Sequence, residues 1–152
     1  MISFNKKRAS GFTIVELLIV IVVIGILAAL VIVTYSGIQQ KARDTERKTD
    51  LGGLYQKLEE YQADNAKYPT PGNLNDSDWV TANMKGLDVE LQKDPKGTYA
   101  DDDYMASSPA ANVYSYEATP ANCDNGAGGD CTGYTLTATL EAGGTFVKNS
   151  AL

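Results

Sequence analysis

Apolar residues follow two contrasting patterns along this chain. From Phe12 to Val33 the sequence FTIVELLIVIVVIGILAALVIV is apolar on every side of a helix, 22 residues interrupted by one charge, Glu16. At about 1.5 Å per residue such a helix extends roughly 33 Å, enough to cross the hydrocarbon core of a bilayer. Beyond it Ile38, Ala42, Thr45 and Thr49, then Leu51, Leu54, Tyr55, Leu58 and Tyr61, recur at approximate helical spacing with charged residues between them. The two patterns predict one helix from Thr13 to Ala66, transmembrane over 12–33 and amphipathic over 34–66, the second half lying along a folded head.

Tyr68-Pro69-Thr70-Pro71-Gly72-Asn73 stops that helix, because proline disfavours helical conformation in the residue before it and lacks a backbone donor. The head over 67–152 then begins with a loop region, 67–111. Within it Trp79, Val80, Met84, Leu87, Val89 and Leu91 predict a short helix or turn over the core, with Trp79 as a packing anchor, and Asp94-Pro95-Lys96-Gly97 predicts a turn. Asn112–Ala118, Gly133–Glu141 and Gly144–Val147 have the alternation and the Tyr, Thr and Val content of half-buried strands. They predict an antiparallel sheet of three to four strands over 112–152, its last hairpin closed by Gly143-Gly144. Tyr114, Tyr116, Leu136, Ala138 and Phe146, or the alternate face, would pack on Leu54, Leu58 and Tyr61. The expected class is α+β.

Composition removes many functions. The chain has no histidine and two cysteines, which excludes Ser-His-Asp and Cys-His catalysis, imidazole metal ligands and a complete structural zinc site. A net charge of −6, from 13 Lys plus Arg against 19 Asp plus Glu, disfavours a nucleic-acid-binding role. The charge is polarised, with Lys6, Lys7 and Arg8 but no acid in residues 1–11. Basic residues before the span and acids after it place the N-terminus in the cytoplasm and the head outside. An ordinary secretory signal has an apolar stretch of about 7–15 residues and a small-residue cleavage box, and neither is present here. A plain anchor accounts for everything except Glu16, since a carboxylate at the centre of an apolar helix costs about 2.5–3.5 kcal/mol, and somewhat less near its end. Cutting between Gly11 and Phe12 creates a positive amine four residues before Glu16, about 6 Å along the axis.

The basic leader ending in Gly11, the following Phe12, Glu16 at the fifth position after the cut and the unbroken apolar run resemble the N-terminus of type IV pilins and their pseudopilin relatives. The resemblance covers roughly the first third of the chain. It implies that a prepilin peptidase removes residues 1–11, cleaving between Gly11 and Phe12 and N-methylating Phe12. It also implies a pilin-like fold whose helix enters a filament core, with Glu16 neutralising the Phe12 amine of a neighbouring subunit. An intramolecular pair with the chain's own Phe12 amine is the competing arrangement. Gly25, Ala28 and Ala29 would permit close helix approach. Many pilins have a proline near the position of Val33; this sequence has none, and Thr34, Ser36 and Gly37 would have to loosen the helix instead.

Three polar groups remain. Cys123 and Cys131 flank DNGAGGD and, in an external compartment, are expected to form a disulfide; a redox-active pair is the alternative, opposed by the acids around it. Asp101, Asp102 and Asp103, with Asp124 and Asp130, raise the question of calcium, which some secretion pseudopilins bind, but the run lacks EF-hand spacing and no metal or other cofactor is assigned. KARDTERKTD reads as a solvated helix face with pairs such as Asp44 with Lys48, in preference to bridges between subunits.

The expected function is therefore structural, not enzymatic: a membrane-stored subunit that assembles with copies of itself into a type IV pilus filament. Its partners are a prepilin peptidase, a pilus assembly platform and the cytoplasmic membrane, and the assembled form lies outside the cell or across the envelope. The alternatives are a pseudopilin of a type II secretion-like system and a minor or tip pilin serving adhesion or DNA uptake.

Overall fold

A computed structural model of the chain describes residues 11–99 and 103–151. It contains two compact units, one ending at Gln39 and one beginning at Gln40. Helix α1, Ile14–Asn65, is 52 residues long and contributes to both, running without a break through Thr34, Ser36 and Gly37. In the first unit its apolar residues are uncovered: Ile14 is 85% exposed and even Val23 is 47% exposed. An 18-residue window of mean hydropathy 3.4 makes this helix long and apolar enough to cross a membrane.

In the second unit α1 buries Leu51, Leu54 and Leu58, the three-four spacing that places side chains on one face. Each such leucine contributes about 1.5–3 kcal/mol of burial. Against them lie Tyr114, Tyr116, Tyr134, Leu136 and Ala138, all buried, with Tyr61 and Phe146 at the margin. This is the sheet face read from the alternation.

The sheet has four strands in the order β1 (Met105–Ala106), β2 (Tyr114–Thr119), β3 (Gly133–Thr139) and β4 (Thr145–Asn149). β2, β3 and β4 are antiparallel neighbours, with Tyr116 opposite Leu136 and Ala138 opposite Phe146. β1 instead pairs parallel to β2, so the sheet is mixed where the sequence reading had it wholly antiparallel. The chain returns between these strands through residues 107–113, where Asn112 adopts the left-handed conformation that asparagine tolerates. The last hairpin turns at Gly143 and Gly144, both at positive φ.

The region read as a loop with one short helix or turn carries more structure. Thr70 caps α2 (Pro71–Leu74) reciprocally with Asn73, so the proline that follows α1 also starts the next helix. Asp76 caps α3 (Ser77–Asn83) by accepting from the Trp79 amide at 2.9 Å. Trp79 is half-buried against Tyr61, ring centroids 5.6 Å apart, and a short 3-10 turn follows at Val89–Gln92.

Candidate functional site: the start of the apolar helix and the polar groups of the head

Gly11, Phe12 and Thr13 precede α1 in non-helical conformation, and all three are exposed. Thr13 starts the helix with a reciprocal cap. Its backbone N–H and its hydroxyl donate to Glu16 Oε2 at 2.8 and 2.7 Å, and the Glu16 N–H donates back to Thr13 Oγ1 at 3.2 Å. This satisfies two of the donors that every helix start leaves open and folds the carboxylate back over the first turn, toward Phe12. The sequence reading pairs Glu16 with the Phe12 amine of a neighbour or of its own chain and does not include Thr13. The signal was present, because Thr-x-x-Glu ahead of an apolar run is the sequence form of such a cap. Lys6, Lys7 and Arg8, the leader charges, lie outside the described residues.

A second polar group corrects the reading of KARDTERKTD as a solvated face. Asp44 pairs with Arg47, Nη1 to Oδ1 2.8 Å, and not with Lys48, and both partners are buried. Arg47, 0% exposed, also holds Asp94 through two bonds of 2.6 and 2.9 Å and reaches Glu141 at 3.0 Å. Arg43 grips Glu141 with a second two-point contact, 2.6 and 2.7 Å, and Lys96 lies 3.4 Å from it. Asp44 accepts the Glu141 and Ala142 amides at 2.8 and 3.0 Å. Three cations and three carboxylates thus join α1, the turn at 94–97 and the β3–β4 hairpin. Burial raises the Asp44 pKa, but the two amides and Arg47 outweigh it, so the net shift is downward. Arg43, with Arg47, holds the Glu141 carboxyl well below the usual carboxylate range. Asp50 goes the other way: burial raises it although the Tyr114 hydroxyl donates to it at 2.7 Å, and Glu46 and Asp94 add like charge.

Further along α1, Glu59 accepts the hydroxyls of Tyr68 at 3.0 Å and Tyr134 at 2.8 Å, and the Ala151 amide at 3.3 Å. Burial, then Glu59, pushes the Tyr68 pKa up to about 12. Cys123 and Cys131 are joined in a disulfide, Cα atoms 5.2 Å apart. The acids considered for calcium do not converge. Asp124 Oδ1 accepts the Gly126 and Gly128 amides of its own loop, Asp130 pairs with Lys67, and Asp103 accepts from Asn75. Asp101 and Asp102 lie outside the described residues. Among the described residues no three His, Cys, Asp or Glu side chains are grouped to hold a metal.

The prokaryotic N-terminal methylation motif family matches residues 6–32, the stretch containing Gly11, Phe12 and Glu16. The type II secretion system core protein G of Pseudomonas aeruginosa is 31% identical over 105 residues, which cover 61% of this chain and 72% of that protein. The chain belongs to the type II secretion core protein G family. The core protein G of Aeromonas hydrophila is 43% identical over 66 residues, and that of Klebsiella pneumoniae 41% over 64. These alignments cover 43% and 42% of this chain, and the chain spans 46% of the length of each of those two relatives. No solved structure gives a significant match. Membership of the core protein G family favours the pseudopilin alternative over the pilus fibre named first from the sequence.

Proposed function

We propose that the protein is a pseudopilin, a structural subunit of a short envelope filament of the type II secretion kind. The observation that carries this reading is the likeness to core protein G, which extends over 72% of the Pseudomonas relative and so reaches well beyond the methylation motif. In this reading a prepilin peptidase cuts between Gly11 and Phe12, in the exposed non-helical segment before α1, and Phe12 is N-methylated. The mature chain waits in the cytoplasmic membrane with its N-terminus inside and its head outside.

Assembly then moves the span from lipid into a bundle of other such spans. The uncovered residues from Phe12 to Val33 supply that bundle's contacts. Opposite charges in such surroundings attract strongly, and only when their axial levels match, so Glu16 sets register against the Phe12 amine of a neighbour. Thr13 already aims the carboxylate toward the helix start, which lowers the cost of fixing it there. The acidic head supplies a hydrophilic outer surface, and the Arg47 cluster holds it to α1. The partners are copies of this chain, the peptidase and an assembly platform in the membrane.

The test is the N-terminal sequence and intact mass of the protein from native cells, in the sheared extracellular fraction and in membranes. A chain beginning at methylated Phe12 and retained with the envelope is expected. Processed protein dominating long sheared fibres would restore the pilus reading. A chain uncut at Met1 would reduce the span to a simple anchor.

A further inference from the structure

Beyond α1 the chain turns at Tyr68 and Pro69, and the disulfide loop holds that turn. The Tyr68 N–H donates to the Cys131 carbonyl at 2.8 Å. Asn125, inside the loop, donates from Nδ2 to the Tyr68 carbonyl at 2.8 Å, while its Oδ1 accepts the Cys131 N–H at 2.8 Å. Asn125 therefore clamps the loop to the turn from both sides, and it does so from a left-handed backbone, φ 58°. From the other side the Tyr116 hydroxyl donates to the Pro69 carbonyl at 2.8 Å, and the Tyr68 hydroxyl reaches Glu59. Both cysteines are buried, and the seven residues between them include three glycines, so the bridge and the loop's own hydrogen bonds together oppose a large chain entropy.

We propose that the Cys123–Cys131 bridge is a redox-operated latch on the exit turn of α1, closed in the oxidised head and open in the reduced one. The inference rests on the reading that the head lies on the outer, oxidising side of the membrane. On closure both S–H bonds are lost and one S–S bond forms. The two electrons and two protons pass to the disulfide of a thiol–disulfide oxidoreductase, which leaves as a dithiol. Once closed, the loop presents Asn125 and the Cys131 carbonyl to Tyr68 together. Opened by a dithiol reductant, which leaves as a disulfide, the loop regains its freedom and the exit turn loses the two hydrogen bonds the loop provides, Tyr68 N–H to the Cys131 carbonyl and Asn125 Nδ2 to the Tyr68 carbonyl. The partner implied is the oxidant, and the device makes docking of the turn conditional on meeting it.

Hydrogen exchange on the full chain in detergent micelles tests this, comparing the oxidised protein, the protein reduced with dithiothreitol and Asn125→Gly. Glycine accepts the left-handed backbone and leaves the bridge intact, so that variant removes only the clamp. Within 67–70, where Pro69 has no amide, the Tyr68 amide is expected to exchange about tenfold faster or more after reduction and in Asn125→Gly, with the amides at 51–58 and 134–138 unchanged. Unchanged protection at 67–70 in either sample would overturn the latch. So would equally faster exchange over 134–138, since the bridge would then hold the whole head and not the turn. Thiol alkylation in native cells reads the compartment separately: an oxidised pair is expected, and a reduced pair would overturn the outer-side reading, and with it the latch in the cell, whatever the exchange shows.

Discussion

Replacing Arg47 by methionine takes one cation out of a cluster that has three cations and three carboxylates. Methionine fills much of the space of the arginine stem, so the loss is chiefly one of charge and hydrogen bonds. Arg47 makes two bonds to Asp94 and one each to Asp44 and Glu141, and it is 0% exposed. Glu141 would keep Arg43 and Lys96, and Asp44 would keep two backbone amides. Asp94 would keep the Lys96 amide and become the buried charge with the weakest compensation. Removing one member of a buried ion pair costs about 3–5 kcal/mol, a large part of the roughly 5–15 kcal/mol that holds a domain folded. At a urea slope of about 1–3 kcal/mol per M, the midpoint should fall by about 2 M. The assay is urea unfolding of the full chain in micelles, followed by tyrosine and tryptophan signals from the head. Arg47→Met/Asp94→Asn should recover a good part of the loss, because the second change removes the stranded charge and keeps an acceptor for the Lys96 amide. The pH dependence has a definite sign. Arg43, with Arg47, holds the Glu141 carboxyl below its ordinary range, and that stabilisation is lost as pH falls below the unfolded carboxylate range; with Arg47 gone there is less of it to lose, so the wild type's margin over Arg47→Met should narrow as pH falls below about 5. A midpoint for Arg47→Met within experimental error of the wild type would refute the idea that this cluster fastens the head to α1.

Four further outcomes follow from the same geometry. Asp50→Asn should be more stable than the wild type at pH 7. Burial raises the Asp50 pKa in the fold, so the charged form is penalised there, and the gain should shrink as pH falls and vanish below about pH 3, where Asp50 is protonated in the folded and the unfolded chain alike. Gly52→Ala should stabilise α1 by about 0.5–1 kcal/mol, since a methyl there meets open space, whereas Gly53→Ala should gain less because its Cβ would lie 3.1 Å from Leu91; thermal melts rank the pair. Thr13→Ala should cost the helix start about 1 kcal/mol, seen as faster amide exchange at Glu16 and Leu17 in micelles. Glu16→Gln should keep that cap while abolishing assembly, and filaments of normal yield from it would remove charge neutralisation from the mechanism.

Long-period features of this chain were legible because hydrophobic patterning is redundant. A 22-residue run with a single charge and the spacing of Leu51, Leu54 and Leu58 fix α1 whatever any single residue does, and alternation through Tyr134, Leu136 and Ala138 fixes the inward face of β3. Arg47 and Asp44 were misread because a mixed-charge helix looks solvated until something covers it. Their cover comes from Asp94 and Glu141, 47 and 94 residues beyond Arg47, a relation that no local period encodes. β1 escaped notice for a related reason: two residues give no alternation, and their parallel pairing depends on the path of the loop at 107–113. The cap of Thr13 on Glu16 is a different kind of omission. It was readable from four consecutive residues, but the charge of Glu16 drew the reading toward a distant partner before the neighbouring one was considered.

The Glu59 contacts bear on how the protein can be labelled. The Ala151 amide donates to the same carboxylate that holds the Tyr68 and Tyr134 hydroxyls, so the backbone just beyond β4 is stitched to the C-terminal part of α1. A fluorescent protein or epitope fused directly beyond Ala151 would pull on that stitch. Ser107, Ser108 and Pro109 are exposed and lie between β1 and β2, in neither the Glu59 contacts nor the Arg47 cluster. A short epitope inserted there should report the protein's position in the envelope while sparing the Glu59 stitch, the disturbance falling on the two-residue strand β1.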